Sequence, residues 1–470
     1  LLNVLPRDIA DAHLSGSIHI CNLGSWILKP REFMHDLRFF LRNGLNLGRM
    51  HSISASYPPP KTLEAAMLTA SNLFKIATSE ISGEQALDYF NVFLAPFVHG
   101  LSRERIKECL RLFILNLNQS LSDEGFPVEA SLGLELAVPH FLKEEEAVGS
   151  DGKRAGCYGD FEEEVRLVAS LLFEVLREDG ERKPIFNPSL IVKLRPESLE
   201  GRECEELLLQ AHQLVVEGGS PYFANLRTEG QKQASYAATG CRFANDWSGD
   251  WELDTLRVGS LDCVVINLPR LSYDAQEDQA RLFELLNEQL EMAHRALRIK
   301  YHNIAQSVRD GMLPFLTQRA DGDPYFRLPN SSCLISFTGL NEAVHSICGR
   351  PIHDDPESLR LAEEISGHIH RFAQENSEKP YHRVALSTLS GFSAAKRLAE
   401  LDVERYGWGR VRVQGSKEQP FYTDTTVSPL NANVRWRERF GIEEKFHKMA
   451  SGGHLAVLQL SDSEQDPREL

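Results

Sequence analysis

Short apolar segments alternate with long amphipathic segments along almost the whole chain, and this alternation limits the fold more than any other feature. The apolar segments have strand length and predict strands over residues 17–23, 184–194, 221–226, 258–268, 333–337, 383–387 and 454–460. The amphipathic segments repeat apolar residues at helical spacing and predict helices over residues 62–82, 84–98, 102–115, 161–177, 203–216, 275–304 and 393–401. We therefore expect an α/β fold in which helices cover buried strands.

Charge and cysteine usage exclude several classes of protein. The 470 residues include 67 acidic and 51 basic side chains, a net charge of −16, which is unfavourable for coating nucleic acid. No stretch approaches the roughly 18 consecutive apolar residues of a membrane span. The eight cysteines are scattered singly, without a Cys-x-x-Cys pair, which argues against a cysteine zinc site and against a disulfide scaffold. Scattered thiols favour a reducing, cytoplasmic compartment. The glycine fingerprints of dinucleotide-binding and P-loop folds are missing.

One cysteine stands in a context that favours chemistry. Cys241 follows Thr239 and Gly240 and precedes Arg242, ahead of the strong apolar strand predicted over 258–268. A glycine beside it allows a tight loop that could present the sulfur at a loop tip or strand end. The alternative is a small buried hydrophobic residue, which is the common state of a free cysteine. The residues around Cys241 leave both interpretations open.

Several short segments, taken together, resemble the anaerobic (class III) ribonucleoside-triphosphate reductases. These segments are Gly16–Ile20, Phe90–Phe97, Phe113–Gln119, Tyr222–Asn225, Ile266–Arg270 and Gly339–Glu342. They occur in the order of that family and span most of the chain. The resemblance implies a ten-stranded α/β barrel of two antiparallel halves with surrounding helices, of the type shared by glycyl radical enzymes and ribonucleotide reductases.

The same resemblance implies a radical reduction of ribonucleoside triphosphates to 2′-deoxyribonucleoside triphosphates. In the family, the cysteine of a Gly-Cys-Arg segment before the Asn-Leu-Pro-Arg strand becomes a thiyl radical, and here that residue is Cys241. An S–H bond is close in strength to a ribose 3′ C–H bond, so the thiyl abstracts that hydrogen reversibly. The 2′ carbon then loses its hydroxyl as water.

Two further residues are candidates beside Cys241 on the strength of the resemblance. Many relatives place a second, reducing cysteine between the first strand and an Asn-Gly segment, but residues 24–42 contain none here. Cys21, on the predicted first strand, is the nearby candidate, and its alternative is a packed strand thiol. If Cys21 does not act, formate or a small redox protein is the expected electron donor. Ser260 lies where some relatives contact the ribose hydroxyls, and its alternative is a residue capped by a turn at the strand start.

Two glycine-containing turns are expected near the substrate. Thr388, Ser390 and Gly391 stand between a predicted strand and a predicted helix, where backbone N–H groups can bind a phosphate. Ordinary helix capping explains the same residues equally well. Gly452 and Gly453 match a family turn near the active site, and their alternative is simply a tight turn. No metal site is predicted from this sequence.

The family's C-terminal part, with its zinc-binding cysteines and the glycine that stores the radical, has no counterpart in this sequence. We therefore expect residues 1–470 to form a single catalytic barrel domain without the radical store. Its helical residues 60–145 are expected to provide a homodimer interface and a site for dNTP or ATP effectors. The glycyl radical would come from a segment or chain not present here, generated by a radical SAM activase with an iron–sulfur cluster. Adenosylcobalamin is the alternative radical source, and zinc is expected only in the missing part.

Two other functions are compatible with such a barrel. A glycyl radical lyase is one, although those enzymes usually carry adjacent cysteines at the loop tip and Arg242 follows Cys241 here. A barrel that binds nucleotides or regulates a partner without catalysis is the other.

Overall fold

A large mixed sheet organises the protein. The computed structural model describes residues 3–46, 56–119, 121, 125, 127–181, 183–218, 220–227, 233–244, 246–320, 322–378, 382–460 and 466–468. Within these residues the sheet has nine strands, namely β1 (Ile18–Ile20), β2 (Glu32–His35), β3 (Gln85–Leu87), β4 (Ala130–Glu135), β5 (Ser189–Leu194), β6 (Tyr222–Asn225), β7 (Val258–Asn267), β8 (Ser332–Thr338) and β9 (Arg383–Ser387).

The sheet consists of two parallel halves that meet in an antiparallel seam. One half runs β6-β5-β4-β3-β2, and the other runs β7-β8-β9. β2 joins them by pairing antiparallel with one part of β7, while β1 pairs antiparallel with the other part of the same edge. β1 and β2 thus behave as one strand interrupted by residues 21–31.

Helices cover the strands. They are α1 (Arg7–Ser15), α2 (Leu37–Asn43), α3 (Leu63–Ala77), α4 (Phe90–Val98), α5 (Arg103–Asn118), α6 (Glu162–Asp179), α7 (Arg202–Gly218), α8 (Trp251–Thr255), α9 (Leu268–Ala275), α10 (Gln279–Arg309), α11 (Leu340–Cys348), α12 (Pro356–Glu375), α13 (Phe392–Tyr406) and α14 (Trp436–His447). All ten residues of β7 are buried, as expected for a strand covered on both faces.

Five ribbons, each of two short antiparallel strands, lie outside the large sheet. They pair Leu45–Asn46 with Ser56–Tyr57, Glu146–Val148 with Arg154–Cys157, Ser235–Tyr236 with Arg242–Phe243, Arg319–Ala320 with Asp323–Pro324, and Gln414–Gly415 with Pro420–Phe421. No helix in the described part of the chain is both long and apolar enough to cross a membrane.

Capping explains why several helices start where they do. The Ser102 hydroxyl accepts a hydrogen bond from the Arg105 N–H, which confirms the predicted start of α5. The helix predicted over 275–304 is confirmed as α10, but it begins at Gln279 because Gln276 and Glu277 adopt positive φ of 52° and 69° and separate it from α9. The Asp278 carboxylate then caps α10.

Other predictions fail where strands are short. The helix predicted over 84–98 is wrong in its first turn, since residues 85–87 form β3, so the 60–145 region is not helical throughout. The strand predicted over 454–460 is also wrong. Gly453 makes a single parallel bridge with Ser387, but the residues after it form no strand, and Leu455 packs against Gly240 instead. The described sheet therefore has nine strands where ten were expected.

Candidate active site

The Cys241 loop is a tight turn at the end of a two-stranded ribbon. Ser235–Tyr236 pairs antiparallel with Arg242–Phe243, and the turn between them is closed by two backbone hydrogen bonds. The Ala237 N–H donates to the Cys241 carbonyl at 3.0 Å, and the Gly240 N–H donates to the Ala237 carbonyl at 2.9 Å. Gly240 has a φ of +90°, which favours glycine at this position. The turn holds Cys241 at its exit, with only 2% of the residue exposed.

The Cys241 thiol lies beside Glu32 of β2 and Ser260 of β7, at the seam between the two halves of the sheet. Burial, reinforced by the negative charge of Glu32, raises the pKa of the Cys241 thiol well above its ordinary value. The thiol therefore keeps its hydrogen at neutral pH. A protonated, buried thiol is a poor nucleophile but is suited to giving and recovering a hydrogen atom.

Two polar atoms around this thiol have no strong partner. The Ser260 hydroxyl and the Glu32 Oε2 atom are buried without a hydrogen bond to an oxygen or nitrogen atom of the described residues, and the thiol beside Ser260 and Glu32 is only a weak hydrogen-bonding group. Buried polar atoms nearly always have partners, so an orphaned pair facing one thiol calls for an explanation. A bound molecule with hydroxyl groups would satisfy both atoms, because a serine hydroxyl can donate or accept and a carboxylate oxygen can accept.

Two further thiols form a pair close to Arg31. Cys21 follows β1 and stands opposite Cys263 of β7, with the Cys21 N–H donating to the Cys263 carbonyl at 3.1 Å. The two thiols are in contact, and this contact together with burial raises the pKa of Cys263 well above its ordinary value. Both cysteines are free. Residues directly opposite in an antiparallel pair have Cβ atoms about 4.5–5.5 Å apart, close to the spacing a disulfide needs.

Arg31 lies near the Cys241 thiol and near the Cys21–Cys263 pair. Its side chain lies near Cys21 and Cys263 and pairs with Glu32 at 3.5 Å. The Arg31 N–H also donates to the carbonyls of Ser260 and Leu261, both at 3.1 Å. This loop residue therefore ties the segment between β1 and β2 to β7 where the thiols lie.

Gly452 and Gly453 pack on the Cys241 loop. A methyl group added at Gly453, whose φ is +132°, would lie 2.3 Å from the Gly240 carbonyl oxygen. The Arg242 N–H donates to the Gly452 carbonyl at 3.1 Å. The two glycines thus form a tight turn that packs on the Cys241 loop, and their proximity to the substrate stays a prediction.

The turn after β9 lies on the other side of the glycines. The Thr388 N–H donates to the Gly453 carbonyl at 3.0 Å, and the Thr388 hydroxyl lies 2.9 Å from His454 Nδ1. The N–H groups of Ser390 and Gly391 both donate to Asp424 Oδ1, at 3.2 and 3.1 Å. The carboxylate of Asp424 therefore occupies the two amides before α13, whose N-cap residue Gly391 makes no side-chain capping bond, and a phosphate there would compete with it.

The structure thus brings most predicted site residues to one place. Cys241 lies beside Ser260 at the seam, Arg31 lies near both this thiol and Cys21, and the Gly452–Gly453 turn links the Cys241 loop to Thr388. Sequence reasoning missed Glu32 and Cys263. A glutamate at the head of the apolar run Phe33–Met34 was a signal for the first, whereas Cys263 resembles any apolar strand residue. The described residues contain no group of three or more histidine, cysteine, aspartate or glutamate side chains arranged to hold a metal ion.

Comparison with known proteins decides the family. A family model described as anaerobic ribonucleoside-triphosphate reductase matches residues 1–470. The chain belongs to this family. It is 23% identical to the anaerobic ribonucleoside-triphosphate reductase of Escherichia coli K12, over 96% of the chain and 65% of that protein. Its identity to the same-named protein of Enterobacteria phage T4 is also 23%, over 100% of the chain and 78% of the relative. The chain spans about two thirds of the length of the bacterial relative.

Solved structures confirm the fold of this family member. The anaerobic ribonucleotide reductase from Thermotoga maritima with dATP in the specificity site aligns with a TM-score of 0.80 at 18% identity, covering 98% of the chain and 76% of that structure. Hydroxyproline dehydratase from Clostridioides difficile aligns with a TM-score of 0.62 at 11% identity, covering 96% and 72%. A glycyl radical enzyme from Archaeoglobus fulgidus aligns at 0.52 and 10% identity, over 84% and 57%. The α/β barrel fold expected from sequence is confirmed.

Proposed function

We propose that this chain is the catalytic barrel of an enzyme that reduces ribonucleoside triphosphates to 2′-deoxyribonucleoside triphosphates. The observation that carries the proposal is the buried, protonated Cys241 thiol beside Ser260 and Glu32, whose hydroxyl and Oε2 atom bond to no oxygen or nitrogen atom of the described residues. A ribose presents two adjacent hydroxyls and a 3′ hydrogen, which match those three groups. Family membership supports the same reaction.

The first half of the reaction falls to Cys241 and its two neighbours. The Cys241 thiyl removes the 3′ hydrogen of the ribose and becomes a thiol. Ser260 orients the ribose hydroxyls, and the Glu32 carboxyl exchanges a proton with them as the 2′ hydroxyl leaves with a proton as water. Glu32 is buried beside the Cys241 thiol, so a ribose whose 3′ hydrogen faces that thiol would have its hydroxyls within reach of this general acid–base. At the end the Cys241 thiol returns its hydrogen to the 3′ carbon.

The second half requires two electrons and two protons, and we propose that Cys21 and Cys263 supply them. Their thiols form one S–S bond while the 2′ carbon gains hydrogen, so that one ribose hydroxyl and two thiols give one deoxyribose, one water and one disulfide. Contact between the two thiols supports this role for the pair. An external dithiol reductant would then regenerate the thiols, and formate becomes unnecessary.

The remaining partners are proposed on family grounds and on the fold. A glycyl radical in a segment or chain beyond these residues supplies, when present, the acceptor for the Cys241 hydrogen atom; Cys241 fits this role because its thiol is protonated and buried. The activase that generates the radical, dNTP or ATP effectors, a homodimer and a cytoplasmic location belong to the same proposal. Thr388, Ser390 and Gly391 are proposed to lie at the phosphates.

Cys241→Ser tests the proposal in the full-length protein that contains this chain, activated anaerobically. We expect dCTP formation from CTP to be abolished while CTP binding, measured by calorimetry, stays within about twofold of wild type. Cys109→Ser is the matched control, because Cys109 is also buried but lies in α5. Turnover by the Cys241 variant at the wild-type rate would overturn the proposal. CTP binding without any reduction by the activated wild-type enzyme would favour the regulatory, non-catalytic alternative.

A further inference from the structure

Glu84 is a buried carboxylate that holds the Cys241 loop. It precedes β3 and stands beside Glu32, since the register pairs Phe33 of β2 with Gln85 of β3. Its residue is 5% exposed. The Oε1 atom accepts the Ala238 N–H at 2.7 Å, and the Oε2 atom accepts the Thr239 N–H at 2.8 Å. Both carboxylate oxygens are therefore bonded to consecutive amides of the turn.

These two bonds complete the hydrogen bonding of the turn. The amides of Ala237 and Gly240 are used inside the turn, and the Cys241 N–H reaches the Thr239 hydroxyl at 3.5 Å. The Ala238 and Thr239 N–H groups have no acceptor within the turn and donate to the Glu84 carboxylate. A buried backbone amide without an acceptor is costly, so the position of the turn depends on this carboxylate.

Glu84 is held at a cost in stability. No basic side chain in the described part of the chain forms an ion pair with it. The pKa of Glu84 is raised to about 7, because burial and the charge of Glu32 raise it more than the hydroxyl of Ser131 and the two loop amides lower it. The other titratable group facing it is Tyr222 of β6. An apolar residue would avoid the cost of burying this charge, but would leave the turn without its two acceptors.

We propose that Glu84 is the positioning residue for Cys241: its carboxylate fixes the turn so that the thiol lies between Glu32 and Ser260. The Gly452–Gly453 turn also binds this turn, because the Gly452 carbonyl accepts the Arg242 N–H. Glu84 does not touch the thiol, and acts only through the backbone of residues 238 and 239. This role rests on the proposed function for its purpose, but the contact itself can be tested without turnover.

The chain contains a matched control four residues away. Glu80 is also buried, at 3% exposure, and its two oxygens accept the consecutive amides of Phe315 and Leu316 at 2.8 and 2.9 Å. Burial raises its pKa as well. Glu80 therefore makes the same type of contact to a segment that does not carry Cys241.

The test compares Glu84→Gln with Glu80→Gln in the full-length protein. Glutamine keeps one acceptor and turns an NH₂ group toward the second amide. We expect Glu84→Gln to accelerate hydrogen exchange of the 238–239 amides at least tenfold, and alkylation of Cys241 by iodoacetamide, mapped by peptide mass spectrometry, by a similar factor. Alkylation of Cys333, buried in β8, should not change. Glu80→Gln should accelerate exchange at 315–316 and leave Cys241 unchanged.

Exchange and alkylation within twofold of wild type in Glu84→Gln would overturn the proposal. Equal labelling of Cys241 in both variants would also overturn it, because the effect would then be general loosening.

If Glu84→Gln does not fold, Glu84→Asp provides the test. Aspartate keeps both carboxylate oxygens but withdraws them from the turn by one methylene group, so exchange of the 238–239 amides and alkylation of Cys241 should again rise at least tenfold. Rates within twofold of wild type would overturn the proposal.

A kinetic readout links positioning to function. In the activated enzyme, Glu84→Gln should lower kcat for CTP at least tenfold and leave the CTP dissociation constant within twofold. Faster labelling of Cys241 in an enzyme whose wild type reduces no nucleotide would support the positioning role and overturn the proposed function.

Discussion

Arg195→Met should remove a large part of the stability of the first half of the sheet. Arg195, after β5, pairs with Glu135 of β4 through hydrogen bonds of 3.1, 2.9 and 2.9 Å, with 2% and none of the two side chains exposed. Lys193 of β5 lies 3.6 Å from Glu135 and also pairs with Asp88, which accepts the Ser235 hydroxyl of the Cys241 ribbon. The network therefore connects β3, β4 and β5 to the Cys241 ribbon.

The magnitude follows from burial. Removing one partner of a buried ion pair leaves an uncompensated charge and costs about 3–5 kcal/mol in the free energy of unfolding. Lys193 remains near Glu135, so we expect the lower end of that range for Arg195→Met. Adding Glu135→Gln removes the stranded charge, and the double variant should recover at least about 2 kcal/mol.

Urea unfolding at pH 7.5, followed by far-ultraviolet circular dichroism, measures these differences. Arg202→Met is the control, because the Arg202–Glu206 pair has side chains that are 89% and 58% exposed, and its loss should change the free energy of unfolding by no more than about 0.5 kcal/mol. Burial already raises the pKa of Glu135, and losing Arg195 raises it further, so the deficit should shrink as pH falls and Glu135 takes up a proton. A cost below about 1 kcal/mol, or no recovery in the double variant, would refute this reasoning.

Three further predictions concern the site and its surroundings. In a single turnover without external reductant, the activated wild-type enzyme should form about one Cys21–Cys263 disulfide per dCTP, which non-reducing peptide mapping detects. Sustained turnover by Cys21→Ser or Cys263→Ser would contradict the role of these two thiols as reductant. Glu32→Gln should lower the rate of dCTP formation by about 10²–10⁴ at unchanged CTP affinity, as expected for loss of a general acid–base, and a rate within threefold of wild type would argue against it. Burial lowers the pKa of His35 to about 3, so its neutral form stabilises the fold above pH 6.5 and this contribution is lost as pH falls. When the pH is lowered from 6.5 to 4, the free energy of unfolding in urea titrations should therefore fall by up to about 3 kcal/mol more in wild type than in His35→Gln. An equal fall in the two proteins would exclude His35 as the cause.

The sequence predicted long elements and failed on short ones for a physical reason. β7, β8 and β9 are apolar runs of five to ten residues and were found close to their observed bounds. β3 has only three residues directly before α4, so its pattern merges with the helix that follows. Its assignment depends on pairing with β2 and β4, and such pairing is not visible in a local pattern.

The same limit applies to the site. Cys241 was identifiable because the family resemblance fixes its neighbours along the chain. Glu32 and Cys263 act through partners more than two hundred residues away in sequence, so no local spacing marks them. The anion site predicted at Ser390 and Gly391 shows a related limit, since local spacing could not reveal that Asp424 reaches the same two amides. Phosphate contact at these residues stays a prediction.

The antiparallel seam has a consequence for folding kinetics. β1 and β2 near the start of the chain pair with β7 some 230 to 250 positions later, and the Cys241 turn is held by a residue from the first quarter of the chain and by a turn from its last twentieth. Contacts of such high sequence separation form slowly, because the chain between them must first be ordered. We expect the two halves to gain structure first and the Cys241 turn to become fixed last, so that a nascent chain that ends before Gly452 would have strands and helices but a Cys241 turn without its second support.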